Sequence, residues 1–188
     1  STGSWSHAYG NLVRHDLFKE HPEYFSLSRG QRSTRQLCTT NPDTIRVAAE
    51  SLLKAMADTK RSESLVHAAG PNDGGGLCEC QSCAQLDTPG YIEPSSGLPS
   101  CSDRTFLFAS NLADITCRQF PDKDLGILVY SEYSRVPLKF QDLHPNVFPM
   151  MAPIRRCRFH GPGNPDCVWG RLFQEEIRGW AKVTQGKL

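Results

Sequence analysis

The sequence predicts an α/β fold with parallel strands, arranged as part of a (β/α) barrel and carrying cysteine-rich loops that disulfides would hold. Three observations predict it. Two short apolar runs, at 65–69 and 125–130, have the length of buried strands, and each ends in a polar turn. Each follows an amphipathic helix, one with Ile45, Ala48, Ala49, Leu52, Leu53 and Met56 on one stripe, the other with Phe106, Ala109, Leu112, Ala113, Thr116, Cys117 and Phe120. The order helix, strand, helix, strand at this spacing favours right-handed βαβ units. A few such units amount to about half of an eight-unit barrel, so residues 1–188 read as one domain, expected to continue into a longer chain.

Taken in order, Trp5, His7 and Tyr9 fall on alternate positions, the pattern of an extended segment. They are candidates to line a ligand site, with an ordinary packed segment as the plain alternative. Residues 11–20 read as a short helix stopped at His21-Pro22, because the residue before a proline avoids the helical region. Residues 23–27 read as a short strand before the polar turn 28–32. Asn41-Pro42-Asp43 is a helix start, with Asn41 as the cap, Pro42 first in the helix and Asp43 in its first turn. Glu50 precedes Lys54 by one turn on the wet face.

The run 65–69 ends at Gly70-Pro71 and delivers Asn72 and Asp73 to a turn. There Gly74, Gly75 and Gly76 let backbone approach a ligand closely. Cys78, Cys80 and Cys83 follow at C-x-C-x-x-C spacing. Residues 87–102 read as a surface loop anchored by Tyr91 and Cys101, and Ser102-Asp103 opens the second helix. The run 125–130 ends at Ser131-Glu132-Tyr133. Residues 146–152 are a third strand candidate, weakened by Pro149, and lead through 155–160 into a tight turn and Cys167. The last helix carries Leu172, Phe173, Ile177 and Val183, with Trp169 and Trp180 expected in the core and Gly186 closing it.

Composition narrows the class. A net charge of +1 gives no reason to expect nucleic acid or an anionic membrane as partner. No apolar run reaches the roughly 18–20 residues that span a bilayer, and no signal pattern opens the chain, so an export signal would lie outside it. Eight cysteines favour an oxidising compartment and disulfides.

The motifs His21-Pro22-Glu23-Tyr24-Phe25, Gln36-Leu37-Cys38 with Asn41-Pro42, and Pro71-Asn72-Asp73-Gly74-Gly75 with Cys78, Cys80 and Cys83 resemble those of one family. Tyr130, Tyr133, Pro145-Asn146-Val147 and the stretch from Arg156-Cys157 through His160 and Cys167 to Trp180 agree with it. It is a bacterial domain-of-unknown-function family linked to secreted glycoside hydrolases, including endo-β-N-acetylglucosaminidases that cut N-glycans. The resemblance implies a TIM-like barrel of which this chain is the middle portion, a secreted or extracellular setting, and a glycan substrate. It does not say which carboxylates are catalytic.

Glycoside cleavage needs a proton donor at the leaving oxygen and a second group facing the oxocarbenium-like centre, either a carboxylate or the substrate's own acetamide. Barrel enzymes place both at the carboxyl ends of strands. Asp73 and Glu132 are the acids that follow the two clear strands, and are the candidate catalytic pair. The plain alternatives are a turn carboxylate and a surface acid. Asn72, Tyr130, His160 and His7 are candidates to bind the sugar, and Tyr130 and Tyr133 should face opposite ways on a strand. Cys38, Cys78, Cys80 and Cys83 are expected in disulfides, with a structural four-sulfur zinc site as the alternative, and Cys157 is expected to pair with Cys167 across the Gly/Pro turn. No cofactor is otherwise expected. A non-catalytic barrel that binds carbohydrate, or forms a structural part of a larger extracellular assembly, is the competing reading.

Overall fold

The computed structural model describes residues 5–58, 64–94, 96–154 and 156–187; Arg155, in the stretch after the third expected strand, lies outside the described residues. Residues 11–20 do not form one helix. Tyr9–Leu12 makes a single helical turn, α1, and His15–Lys19 a separate 3-10 turn. Between them Val13 leaves the helix in an extended conformation and is fully buried.

The expected strand near residue 25 is β1 (Phe25–Ser28), and it pairs antiparallel with a strand that hydrophobicity does not announce, β2 (Gln31–Leu37). Arg29 and Gly30, both at positive φ, make the two-residue turn between them. Helix α2 (Pro42–Ala57) starts as its sequence directs. The Asn41 Oδ1 accepts from the amides of Asp43 at 2.8 Å and Thr44 at 3.1 Å, pairing two of the donors a helix start leaves open. Its stripe of Ala48, Ala49, Leu52 and Met56 is buried in the main core.

The central strand is β3 (Val66–Ala68), followed by a short helix α3 (Gln81–Leu86) and the long buried helix α4 (Ser102–Thr116) that packs on α2. Asp103, in the first turn of α4, is buried and turns its carboxylate away from its own helix. Its Oδ1 accepts from the amides of Leu138, Lys139 and Phe140 at 2.9, 2.7 and 3.2 Å, and so shapes the chain that returns to the sheet. That sheet is completed by β4 (Asp124–Val129) and β5 (Val147–Met151), and the chain ends in α5 (Val168–Val183).

Strands β3, β4 and β5 are parallel and lie side by side in chain order. His7 adds a parallel bridge to Gly70, which lays the N-terminal segment along the chain leaving β3. Pro149 is tolerated because β5 stands at the edge, with a partner on one side. The described residues thus form a mixed α/β fold with a three-stranded parallel sheet and a separate two-stranded antiparallel one, and no closed barrel. The connection from β4 to β5 contains a 3-10 turn, Ser131–Tyr133, and no α-helix.

One further expectation is corrected. Trp180 is fully buried, with its indole N–H donating to the Ser134 carbonyl at 2.8 Å, but Trp169 is 42% exposed and outside the core. Among the described residues no helix is long and apolar enough to cross a membrane.

Candidate functional site

Adjacent parallel strands leave a sheet at the same edge, and this fixes the site. The chain leaving β3 reaches Asn72 and Asp73, and the chain leaving β4 reaches Tyr130 and Glu132 beside it. The Tyr130 hydroxyl donates to Asp73 Oδ1 at 3.3 Å, and the Gly74 amide donates to the same oxygen at 2.9 Å. His7 completes the group, since its bridge to Gly70 brings the imidazole to the turn. Its Nδ1 lies 2.7 Å from the Pro71 carbonyl, which can only accept, so Nδ1 carries a proton. Its Nε2 faces Asp73 Oδ1 at 3.8 Å, and the ring stands edge-on to Tyr130 at 5.7 Å.

Glu132 lies on the other side of the glycine loop. A Cβ on Gly75 would sit 3.9 Å from Glu132 Oε1, and the carboxylate lines a cleft of about 280 Å³ with Gly75, Gly76, Leu77 and Arg104. Tyr133 senses both acids. Burial pushes its phenol up from the ordinary value, and the charges of Glu132, Tyr130 and Asp73 push it further. Tyr130 and Tyr133 do not face opposite ways as expected: their ring centroids lie 6.2 Å apart, with Tyr130 on Asp73 and Tyr133 buried. Tyr133 belongs to a 3-10 turn rather than to the strand, and Ser131 enters that turn at φ 48°. A non-glycine residue in this region is strained by about 1–3 kcal/mol, and here the strain immediately precedes Glu132.

Asn72 has a different role from the one its sequence position suggests. Its side-chain Oδ1 accepts from the Gly10 amide at 3.0 Å and its Nδ2 donates to the Arg35 carbonyl at 2.8 Å. The amide expected to face a sugar instead ties three chain segments together. Gln36, fully buried on β2, holds the same loop: its Nε2 donates to the carbonyls of Asn72 at 2.8 Å and Gly74 at 2.9 Å, and its Oε1 accepts from the Asn72 amide at 3.0 Å. Arg35 lies across the glycines. A Cβ on Gly74, which has φ 81°, would come within 2.8 Å of the Arg35 guanidinium, so only glycine lets that side chain lie there. Residue-by-residue reading does not find Arg35 or Gln36 as site residues. A glutamine next to Leu37 at the inner end of a strand is the one local signal, since a buried amide must find partners.

A second pair of acids also escapes the sequence reading. Glu93, buried, and Glu176 on α5 line a small cavity of about 50 Å³ beyond the ends of β4 and β5, together with Ser131, Ser134, Arg156 and Trp169. Burial pushes the Glu176 carboxyl up to about 7, and Glu93 adds to the shift while Arg135 opposes it. Burial likewise pushes Asp87 up to about 6 despite its ion pair with Arg104 at 3.2 Å.

His160 is not brought to the Asp73 cluster. It lies 3.3 Å from the Cys157 sulfur, and these two with Cys167 have ligand atoms within 4.8 Å of one another. Cys38, Cys78, Cys80 and Cys83 do converge, from the end of β2 and the turn into α3. The expected disulfides are not formed: all eight cysteines are free, with the Cys38 sulfur 3.7 Å from that of Cys80 and 3.9 Å from that of Cys83. A sulfur–sulfur bond needs about 2.05 Å.

Fold and site together define an α/β domain with an acidic site at the carboxyl edge of a parallel sheet. Over residues 1–186 the chain matches the family described as Domain of unknown function (DUF4838), and it belongs to that family. No curated protein and no solved structure matches it.

The Gln36 contacts predict a large effect from one substitution. Gln36→Leu keeps the volume but leaves the Asn72 amide and two loop carbonyls without partners, which should cost about 3 kcal/mol and lower Tm by about 6–12 °C. A calorimetric Tm within about 2 °C of wild type would show that the loop is held by other contacts.

Glu176 predicts a pH dependence with a definite sign. Between its ordinary value of 4.5 and about 7, the unfolded chain releases this proton while the folded protein keeps it. The contribution to stability therefore falls as pH rises through that window. Glu176→Gln should gain Tm relative to wild type at pH 8 compared with pH 5, and a difference that is equal at both pH values contradicts the assignment.

Proposed function

We infer that this domain acts on N-acetylglucosamine-containing glycans as a glycoside hydrolase, with Asp73 and Glu132 as its pair of carboxyl groups. The observation that carries the reading is the meeting of Asp73, Tyr130 and His7 where two adjacent parallel strands end, with Glu132 across the glycine loop from them. Asp73, which accepts from Gly74 and Tyr130 and faces His7, suits a carboxylate that orients the substrate's acetamide or faces the oxocarbenium-like centre. Glu132, over the cleft, is the proton donor to the leaving oxygen. Tyr130 and His7 supply hydrogen bonds to the sugar, and the exposed Arg35 beside the glycines can add another.

The parallel strands in chain order, extended by the bridge at His7, fit an arc of a TIM-like (β/α) barrel, with this chain as its middle portion. An extracellular setting goes with the substrate class. Free thiols take away the argument from disulfides, so that setting rests on the glycan reading alone. One observation favours the competing reading of a non-catalytic carbohydrate-binding barrel: the Asp73 side chain is 69% exposed, with its Oδ1 also serving as a turn acceptor.

In the full-length protein, Asp73→Asn and Glu132→Gln should each lower turnover of a chitobiose-core glycan by about 10²-fold or more, with circular dichroism and Tm unchanged. Near-normal turnover in the Asp73→Asn protein would make Asp73 a turn residue. Wild-type protein that binds the glycan without cleaving it would establish the binding module instead.

A further inference from the structure

We propose that Cys38, Cys78, Cys80 and Cys83 bind one structural zinc ion, which fixes the far end of the glycine loop whose near end carries Asp73. The four sulfurs lie within 4.8 Å of one another, with separations of 3.7 and 3.9 Å from Cys38 to Cys80 and Cys83. Zinc–sulfur bonds of about 2.3 Å in a tetrahedron set the sulfurs about 3.8 Å apart. Two disulfides would draw the same atoms into two separate pairs, each at about 2.05 Å. The arrangement is one group of four, as a metal requires.

The surroundings are those of thiolate ligands. Cys38, Cys78 and Cys83 are buried, and Cys80, at the start of α3, is the partly exposed member. The Leu27 amide donates to the Cys78 sulfur at 3.4 Å, and the Thr40 and Thr39 hydroxyls lie 3.2 and 3.7 Å from the Cys83 sulfur. Donors aimed at the ligands orient them and steady their charge. Four thiols bind Zn²⁺ with release of four protons, which leaves a centre of net charge −2. Arg104, buried alongside and donating to the Cys78 carbonyl, offsets part of that charge. An all-sulfur, closed tetrahedral set selects zinc for a structural role over magnesium or calcium, which take oxygen.

The ion would join parts of the chain that share no continuous strand. Cys38 follows β2, and the other three follow Gly76, so one centre clips the glycine loop to the β1–β2 hairpin. The backbone already meets there, with the Glu79 amide donating to the Leu27 carbonyl at 2.6 Å and Glu79 accepting from the Arg29 amide at 2.7 Å. With Gln36 holding residues 72 and 74, the loop is then fixed at both ends. This assignment is independent of the glycan reading, because it concerns metal content and not turnover.

The test is metal analysis of the full-length protein purified without chelator. About one zinc per chain should survive dialysis, and exchange for cobalt should give thiolate-to-cobalt charge-transfer bands with the visible bands of a tetrahedral site. Cys80→Ser should lower bound metal to a small fraction of that amount. The Cys157→Ser, Cys167→Ser double variant should retain it, which separates this site from the Cys157–His160–Cys167 group. Metal-free protein, whether its four cysteines are oxidised to disulfides or titrate as free thiols, overturns the proposal, as does loss of the zinc in the double variant alone. Should Cys80→Ser fail to fold, the wild-type zinc content and cobalt spectrum still decide.

Discussion

The structure depends most on a carboxamide that water cannot reach. Gln36 ends the inner side of β2 and offers both halves of its amide to the loop that leaves β3, pairing three backbone groups of residues 72 and 74. A loop of this kind, crossing the edge of a sheet among glycines, has no ladder to satisfy its peptide groups. The hairpin supplies the missing partner from outside the parallel sheet. This explains why an antiparallel pair of strands accompanies a parallel core: it is the wall against which the site loop is set, and Asn72 ties the same loop to Gly10 and Arg35 from the other direction.

Parallel pairing then decides which charges meet. Because β3 and β4 run the same way, Asp73 and Glu132 emerge together although they are far apart in the chain, and the bridge from His7 to Gly70 brings an imidazole to the same edge. The protonated Nδ1 on Pro71 turns Nε2 toward Asp73, so the orientation of the ring follows from one backbone contact. On the Glu132 side the chain bends through Ser131 at positive φ. A strained residue persists only where its neighbours determine it, and here the Cys101 amide bonded to the Glu132 carbonyl at 2.7 Å does so.

Acidic groups near this edge occupy unlike surroundings. Asp73 is open to solvent, Glu132 lines a cleft, and Glu176 is held near neutrality by burial beside Glu93. Groups of one chemical type in such different settings can divide the tasks of giving and accepting protons.

What the sequence determined by itself is what short-range physics controls. The start of α2 at Asn41, the stripe that buries Ala48, Leu52 and Met56, the runs that become β3 and β4, and the exit of both at acidic turns are all written within a few residues of where they act. Where local signals were weak, reading failed: β2 is too polar to announce a strand, residues 11–20 break because the core takes Val13, and Trp169 stays exposed although it keeps helical spacing. Only the tertiary structure decided the partners. Asn72 is claimed by Gly10 and Arg35, His160 by Cys157 rather than by the acids, and four cysteines are gathered into one cluster rather than two bonds. The reason is physical: a cap or a helical stripe is satisfied within one or two turns of chain, whereas a buried amide, an imidazole or a thiol accepts any suitable partner, and which one it meets depends on how distant segments pack.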